Sequence, residues 1–458
     1  MQDPIYASAG EIAAAIRARE VSAVEVLDAY LARIARCNPA LNAIVTLDAE
    51  GARARAREAD AALARRESWG PLHGVPITLK DGHSTAGMRT TAGVPALAGY
   101  VPAEDGTVAA RLKGAGAILM GKTNVSPLLM DIQSDNTIFG RTNNPWDLER
   151  TPGGSSGGAA AALAAGMTPL DIGSDFAGSI RIPAHFCGLF GLKPTEHRVS
   201  MAGHIPDIPN EPRAHRIMWS IGPLARTVDD LALAFHLIAG ADRGDPDVPP
   251  LLVTQPPPPP PLADLRLAWA PTFPGLPVTA ATRAALEHLA AALAENGARI
   301  EERLPDVSFE EQVRLRATLS KAIQAAFNDP ADGPVPTLGE YFAALYRRDA
   351  LIAAWEAFFD DWDALICPVA MTNAFPHCAT DAPLLVDGVA TKYWRIIGHC
   401  GIFNLTGHPV VVIPAGQDAN GLPIGVQVVG RRWADERLLA VAGRLAEVAG
   451  PFRRPPGY

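Results

Sequence analysis

The chain has 458 residues, 48% of them hydrophobic and 19% charged, which supplies ample apolar material for a large buried core. A formal net charge of −9 and a pI near 5.7 exclude a general nucleic-acid binder, which would carry a basic face. No stretch approaches the roughly 18 apolar residues of a membrane helix, and the N-terminus, with Asp3 and Glu11 and no apolar run, is neither a secretory signal nor a transit peptide, so the expected compartment is the cytoplasm.

In chain order, two capping boxes, Ser8-x-x-Glu11 and Ser22-x-x-Glu25, each open a helix. In the second, Val24, Leu27, Tyr30, Leu31 and Ile34 share one face and should pack. Residues 41–45 read as a short strand and 48–66 as an Ala/Arg-rich helix, so residues 1–70 form a helical cover over a core. Gly74-Val75-Pro76-Ile77-Thr78-Leu79-Lys80-Asp81 reads as a short apolar strand ending in a lysine. The chain has only six lysines, and lysine, unlike arginine, loses its proton when desolvated. A helix over 107–113 ends at Gly114, and residues 117–120 form a buried strand. That strand lies inside Gly116 to Thr123, a literal match to the phosphate-loop pattern GxxxxGK[ST]. A working phosphate loop needs a permissive loop where this chain has an apolar strand, and Pro127 disfavours the helix that should follow, so nucleotide binding is the weakest reading.

Two serine-bearing turns follow between Thr151 and Ala184. Gly153-Gly154-Ser155-Ser156-Gly157-Gly158 precedes an alanine-rich helix over 159–165, which puts the serines at a helix N-terminus with its unpaired N–H groups. An isolated run of this kind is a flexible linker; here it is short, lies between Trp146 and an apolar helix, and is matched by a second turn. The second, Gly173-Ser174-Asp175-Phe176-Ala177-Gly178-Ser179-Ile180, has little bulk before its last serine, which lets successive amides converge on one oxygen. Residues 196–220 form a long loop with His197, His204 and His215, read as surface or loop residues because no metal-ligand spacing occurs; a loop of this length borders a site. Pro256 to Pro261 is a stiff six-proline spacer. A strand over 265–269, an amphipathic helix over 281–295 and a buried strand over 365–368 come next, while 305–400 otherwise matches nothing. The five cysteines, Cys37, Cys187, Cys367, Cys378 and Cys400, show no CxxC and read as reduced thiols.

A lysine at a strand end, GGSSGG, and the serine of GSDFAGSIR together resemble the amidase signature family, over Gly74 to Thr195 and again through Phe403-Asn404-Leu405-Thr406-Gly407-His408-Pro409, Pro414-Ala415-Gly416 and residues 421–427, which look like that family's closing strands. Ser174 stands where threonine is more usual, and Phe176-Ala177 where Ile-Gly is common. The resemblance implies an α/β fold, a large mixed twisted sheet covered by helices on both faces, in one domain: a helical segment (1–70), a signature core (71–230), the proline spacer, and a C-terminal part (263–458). It implies a Ser-cisSer-Lys triad of Ser179 as nucleophile, Ser155 as proton relay and Lys80 as neutral base, with Gly154-Ser155 as the cis bond. The N–H groups of Phe176, Ala177, Gly178 and Ser179 would hold the oxyanion. Ser156, Asp175 and Arg181 are supporting residues, the last two as a structural ion pair, and Leu129 and Met130 would lie beside the acyl group.

The expected activity is metal-free, cofactor-free hydrolysis of small-molecule amides, with esters and aryl carbamates presenting the same carbonyl, by a monomer or homodimer. With Leu129, Met130 and Phe176 apolar and no arginine evident as a carboxylate clamp, neutral acyl groups with aryl amine leaving groups are expected. A preference for anionic substrates would require a cation from the loop around Arg213 and Arg216. The alternative is the glutamine-amidase component of a tRNA-dependent amidotransferase, disfavoured because 305–400 shows no resemblance.

Overall fold

The computed structural model describes residues 4–204, 215–325 and 335–458. Its strands are β1 (Ile44–Leu47), β2 (Pro76–Lys80), β3 (Ile118–Thr123), β4 (Asp135–Asn136), β5 (Gly140–Arg141), β6 (Leu170–Asp175), β7 (Phe190–Lys193) and β8 (Ser220–Ala225). They continue with β9 (Arg266–Trp269), β10 (Arg299–Glu302), β11 (Ala364–Pro368), β12 (Leu384–Val386), β13 (Val389–Thr391), β14 (Val410–Gln417) and β15 (Pro423–Val429). Two small hairpins take β4 with β5 and β12 with β13, and the rest form one 11-stranded mixed sheet in the order β1-β3-β2-β6-β8-β7-β14-β15-β11-β9-β10. β2 runs parallel to both β3 and β6, so the C-terminal ends of these three strands, which include Lys80 and Asp175, lie at one edge.

The central strands read as continuous apolar runs because both faces are covered. Along β14 the pleat sends Val411 and Ile413 into the core cluster shared with the helices Ala23–Leu41, Val228–Ile238, Ala280–Glu295 and Asp435–Ala449. Val412 joins the opposite cluster with Ile180, Ala184 and Cys400. Both predicted capping boxes form, on helices Ala9–Arg17 and Ala23–Leu41. Leu27, Tyr30, Leu31 and Ile34 are buried and Val24 is half-buried. The proline run does not separate independent bodies: the Arg444 side chain, on the C-terminal helix, donates to the carbonyls of Pro259 and Pro260, and β9 joins the same sheet.

Three expectations are corrected. The strand expected over 41–45 begins only at Ile44, because Leu41 still belongs to the preceding helix. Phe403, Asn404 and Leu405 end a helix, Gly398–Leu405, and the closing strands start at Val410. The helix after GGSSGG starts at Gly157, so two glycines are inside it. They are there for contact: a Cβ on Gly158 would lie 2.6 Å from the carbonyl oxygen of Asn124 and 2.7 Å from that of Ala43, so the helix rides on the chain beside β1 and β3. Alanine is the better helix former by about 1 kcal/mol, but overpacking against backbone costs about 1–3 kcal/mol. Gly158→Ala is therefore expected to lower stability, read as a reduced urea midpoint with unchanged slope; equal or greater stability would show that the packing yields.

Candidate active site

Along β2, Thr78 and Lys80 point to one face and Ile77 and Leu79 to the other. Pairing of Thr78 with Asp171 and of Leu79 with Ile172 brings the end of β2 beside the end of β6. The fully buried Lys80 ammonium nitrogen donates to Ser155 Oγ at 2.7 Å, Ser174 Oγ at 3.0 Å and the Ser174 carbonyl at 3.4 Å. Burial pulls its pKa down to about 7, against the opposing pull of Asp175 and Asp171. Asp81 turns away, as alternation requires: its carboxylate accepts from the Thr91 hydroxyl at 2.5 Å and the Thr91 N–H at 3.2 Å. Ser174 is a lysine partner that the sequence marked only as a departure from threonine.

The Gly154-Ser155 peptide bond is cis. Ser134 Oγ accepts from the Gly157 N–H at 2.8 Å and lies 3.2 and 3.3 Å from the carbonyls of Gly153 and Ser155, which pins this turn. The two serine turns meet through backbone, since the Ser156 N–H donates to the Ser179 carbonyl at 3.2 Å. The Ser156 hydroxyl, expected to support the site by hydrogen bonding, has no partner among the described residues. Ser179 is half-buried, and its hydroxyl forms no hydrogen bond among the described residues, so the Ser155 to Ser179 link is open here; such links commonly tighten only with substrate bound.

Asp175 shapes the second turn. Its carboxylate accepts from the Gly178 N–H at 2.8 Å, the Ile180 N–H at 3.1 Å, Asn404 Nδ2 at 2.9 Å, and Arg181 Nε and Nη2 at 3.0 and 2.9 Å. Burial alone would raise this carboxyl, but the Arg181 guanidinium holds it well below the usual carboxylate range. Arg181 is also fully buried and donates to Gln427 Oε1 at 2.7 Å and the Cys400 carbonyl at 3.0 Å, so Asp175 and Arg181 form a buried ion pair tied to the C-terminal part of the chain. Of the four amides expected to hold an oxyanion, that of Gly178, at φ +117°, donates to Asp175, while those of Phe176, Ala177 and Ser179 make no hydrogen bond among the described residues.

Around this turn, Leu129 and Phe176 fall in one apolar cluster with Met218, Trp219, Leu315 and Leu319, and Met130 packs against it. The 196–220 loop does border the turn, because His215 and Trp219 stack on Phe176 with ring centroids 6.0 and 5.1 Å away. His204 is a buried residue, contrary to expectation, stacked 4.8 Å from His83 and 5.5 Å from Trp219, and burial holds its imidazole well below its ordinary value. Arg216 pairs with Asp247 at 3.0 Å, and Arg213 lies outside the described residues. Lys122, the lysine of the phosphate-loop pattern, is buried within β3 and donates to the His83 carbonyl and Thr85 Oγ1, so no phosphate cradle surrounds it. Among the described residues no helix is long and apolar enough to cross a membrane.

An 11-stranded mixed sheet with helices packed on it is an α/β-class architecture, and the family that the chain matches makes it a hydrolase acting on amide C–N bonds. The chain belongs to the Amidase family, whose model matches residues 25–332 and 336–439. A glutamyl-tRNA(Gln) amidotransferase subunit from Roseiflexus sp. (strain RS-1) is 36% identical over 485 residues, covering 95% of each chain. A chain of a protein complex connected with the evolutionary origins of an s-triazine catabolic enzyme superposes with a TM-score of 0.85 at 30% identity, covering 98% of this chain and 99% of that one. A bacterial aryl acylamidase of the amidase signature enzymes gives a TM-score of 0.82 at 26% identity, covering 97% and 96%. The family match runs through most of 305–400, so the reason for disfavouring the amidotransferase reading does not hold.

Removing one partner of a buried ion pair leaves an uncompensated charge, at a cost of about 3–5 kcal/mol. Arg181→Met is expected to lose stability on that scale in urea denaturation, and adding Asp175→Asn to recover part of it. A single variant as stable as the parent would show that the pair does not hold the turn.

Proposed function

We propose that the protein hydrolyses carboxylic amides through an acyl-enzyme on Ser179. The observation that carries this is the buried Lys80, 2.7 Å from Ser155 Oγ with an amine brought to about 7, beside a turn that presents Ser179 and open amides. In this reading neutral Lys80 takes the Ser155 proton while Ser155 takes that of Ser179, whose oxygen attacks the carbonyl carbon. The N–H groups of Phe176, Ala177 and Ser179 receive the developing oxyanion. The proton returns through Ser155 to the departing nitrogen, the C–N bond breaks, and water hydrolyses the acyl-serine by the same relay. Leu129, Phe176 and Trp219 offer an apolar wall to the acyl chain, and esters and aryl carbamates present the same carbonyl.

A second reading is the glutamine-hydrolysing component of an amidotransferase, favoured by the relative 36% identical over nearly the whole chain. Glutaminase activity that rises with a co-purifying partner protein supports it. Turnover of simple anilides with no release of ammonia from glutamine, with or without such a partner, rejects it.

Ser179→Ala is expected to abolish turnover and fluorophosphonate labelling; persistent labelling at another residue would identify a different nucleophile. The base must be neutral, so activity is expected to rise about tenfold per pH unit below about 7 and to level off above it. Lys80→Arg keeps its proton at every working pH and is expected to lose about 10²–10⁴-fold in kcat. An active Lys80→Arg enzyme, or a rate that falls as pH rises through 7, would remove Lys80 as base.

A further inference from the structure

The helix Phe309–Gln324 buries Gln312, Leu315, Leu319 and Ile323, and Leu315 and Leu319 pack in the cluster that contains Phe176 and Leu129, so this helix borders the nucleophile turn. On the same inward side Arg316 is half-buried and lies across Gly401: its Cδ and Nε stand 2.6 and 2.7 Å from where a Cβ on that glycine would be. Gly401 follows Cys400, whose Cβ is 3.0 Å from the corresponding position on Gly178. The helix Gly398–Leu405 thus touches the nucleophile turn with one residue and Arg316 with the next.

The acids nearest Arg316 along its own helix are engaged elsewhere, Glu310 with Arg314 at 2.7 Å and Glu311 with Arg347 at 2.5 Å. Among the described residues Arg316 has no carboxylate partner, and burial pulls its pKa down to about 10 with no anion to oppose it. One helical turn away, Gln312 accepts from Trp355 Nε1 at 2.9 Å, yet its own buried Nε2 has no partner among the described residues. A half-buried guanidinium with no carboxylate partner among the described residues is costly, and the unpartnered amide donor of Gln312 adds to that cost.

We infer that Arg316, beside the Gln312 amide, is a specificity residue that receives a carboxylate borne by the substrate at the end of its acyl chain. The inference rests on the acyl-enzyme reading and names the substrate class as half-amides of short dicarboxylic acids and related amides with a free carboxylate. It replaces the expectation of a neutral acyl group, which followed from seeing no arginine fit to clamp an anion. Apolar contacts from Leu315 and Phe176 would flank the connecting methylenes.

The test compares glutaric mononitroanilide with its uncharged branched-alkanoyl isostere, using the full-length protein. Wild type is expected to favour the charged amide in kcat/KM. Arg316→Met is expected to lose roughly 10- to 100-fold on that substrate, to change by less than about threefold on the isostere, and to keep fluorophosphonate labelling of Ser179. Free glutarate should also protect wild-type Ser179 from the label, a measurement independent of whether the variant folds. Wild-type preference for the isostere, equal losses on both substrates in a variant that still labels, or absence of protection by glutarate overturns the inference. Failure of the acyl-enzyme reading shows separately, as unchanged turnover in Ser179→Ala.

Discussion

A fully buried carboxylate, that of Asp175, fixes the turn after β6. Asp175 is charged in a place where ionisation is expensive, and the cost is offset because Arg181 approaches with two side-chain nitrogens while three backbone N–H groups, of Gly178, Ile180 and Arg181, and Asn404 also donate to the carboxylate. Asn404 and Gln427, which reaches the carboxylate through Arg181, come from the last quarter of the chain, so the turn after β6 is held by the helix Gly398–Leu405 and by β15 as well as by its own residues. The same carboxylate decides which amides remain open. By taking the N–H groups of Gly178 and Ile180 it leaves those of Phe176, Ala177 and Ser179 without a partner among the described residues.

The second constraint is how Lys80 loses its charge. Two carboxyls, Asp171 and Asp175, would hold it protonated, yet each is weakened as a counter-ion. Asp175 is already paired with Arg181. Burial pushes Asp171 up to about 7, although it accepts from Thr78 at 2.6 Å and Thr123 at 3.1 Å. Lys80 therefore sits among hydroxyls rather than beside a free carboxylate, with Ser155 and Ser174 accepting from it. Asp81, the adjacent acid in sequence, faces the other way, and Lys122 is the first charge opposing its own burial. A strand ending in Lys-Asp thus separates a weakly basic amine from its nearest carboxylate by the pleat alone.

Much of this was legible because the pattern is local. The capping boxes, the apolar strand ending at Lys80, and two serine turns of small residues each follow from neighbouring residues, and each forms. What was not legible depended on contacts distant in sequence. Gly157 and Gly158 look like part of a loop until Ser134 and Pro152 are seen to lie against the first and the chain at Asn124 and Ala43 against the second. Phe403-Asn404-Leu405 is short and apolar, a pattern shared by buried strands and buried helix ends, and its helical state is settled by the preceding turn from Gly398. His204 has loop-like neighbours and nothing in its spacing marks it as buried under Trp219. Arg316 was hidden by composition: with Glu310, Glu311, Arg314 and Lys321 around it, the segment reads as a solvated charged face, and only helical phase separates the inward arginine from the outward ones.

Under the proposed function, these constraints would divide the molecule into a part that fixes the chemistry and a part that chooses the substrate. Lys80, Ser155, Ser174, Asp175 and Ser179 lie on β2, β6 and the turns that follow or join them, and their mutual contacts leave little room for variation without loss of the site. The helix Phe309–Gln324 meets that part through apolar side chains, Leu315 and Leu319 lying in one cluster with Phe176, and among the described residues it makes no hydrogen bond to the lysine, the serines or the open amides. Under the proposed reading, a guanidinium on that helix would alter which acyl chain is held, while the barrier to breaking the C–N bond would be set at the sheet edge. Under that reading, binding energy collected along the helix would lower the barrier only where it presses the carbonyl onto Ser179, and Gly401, having no side chain, lets Arg316 approach the helix that also touches Gly178.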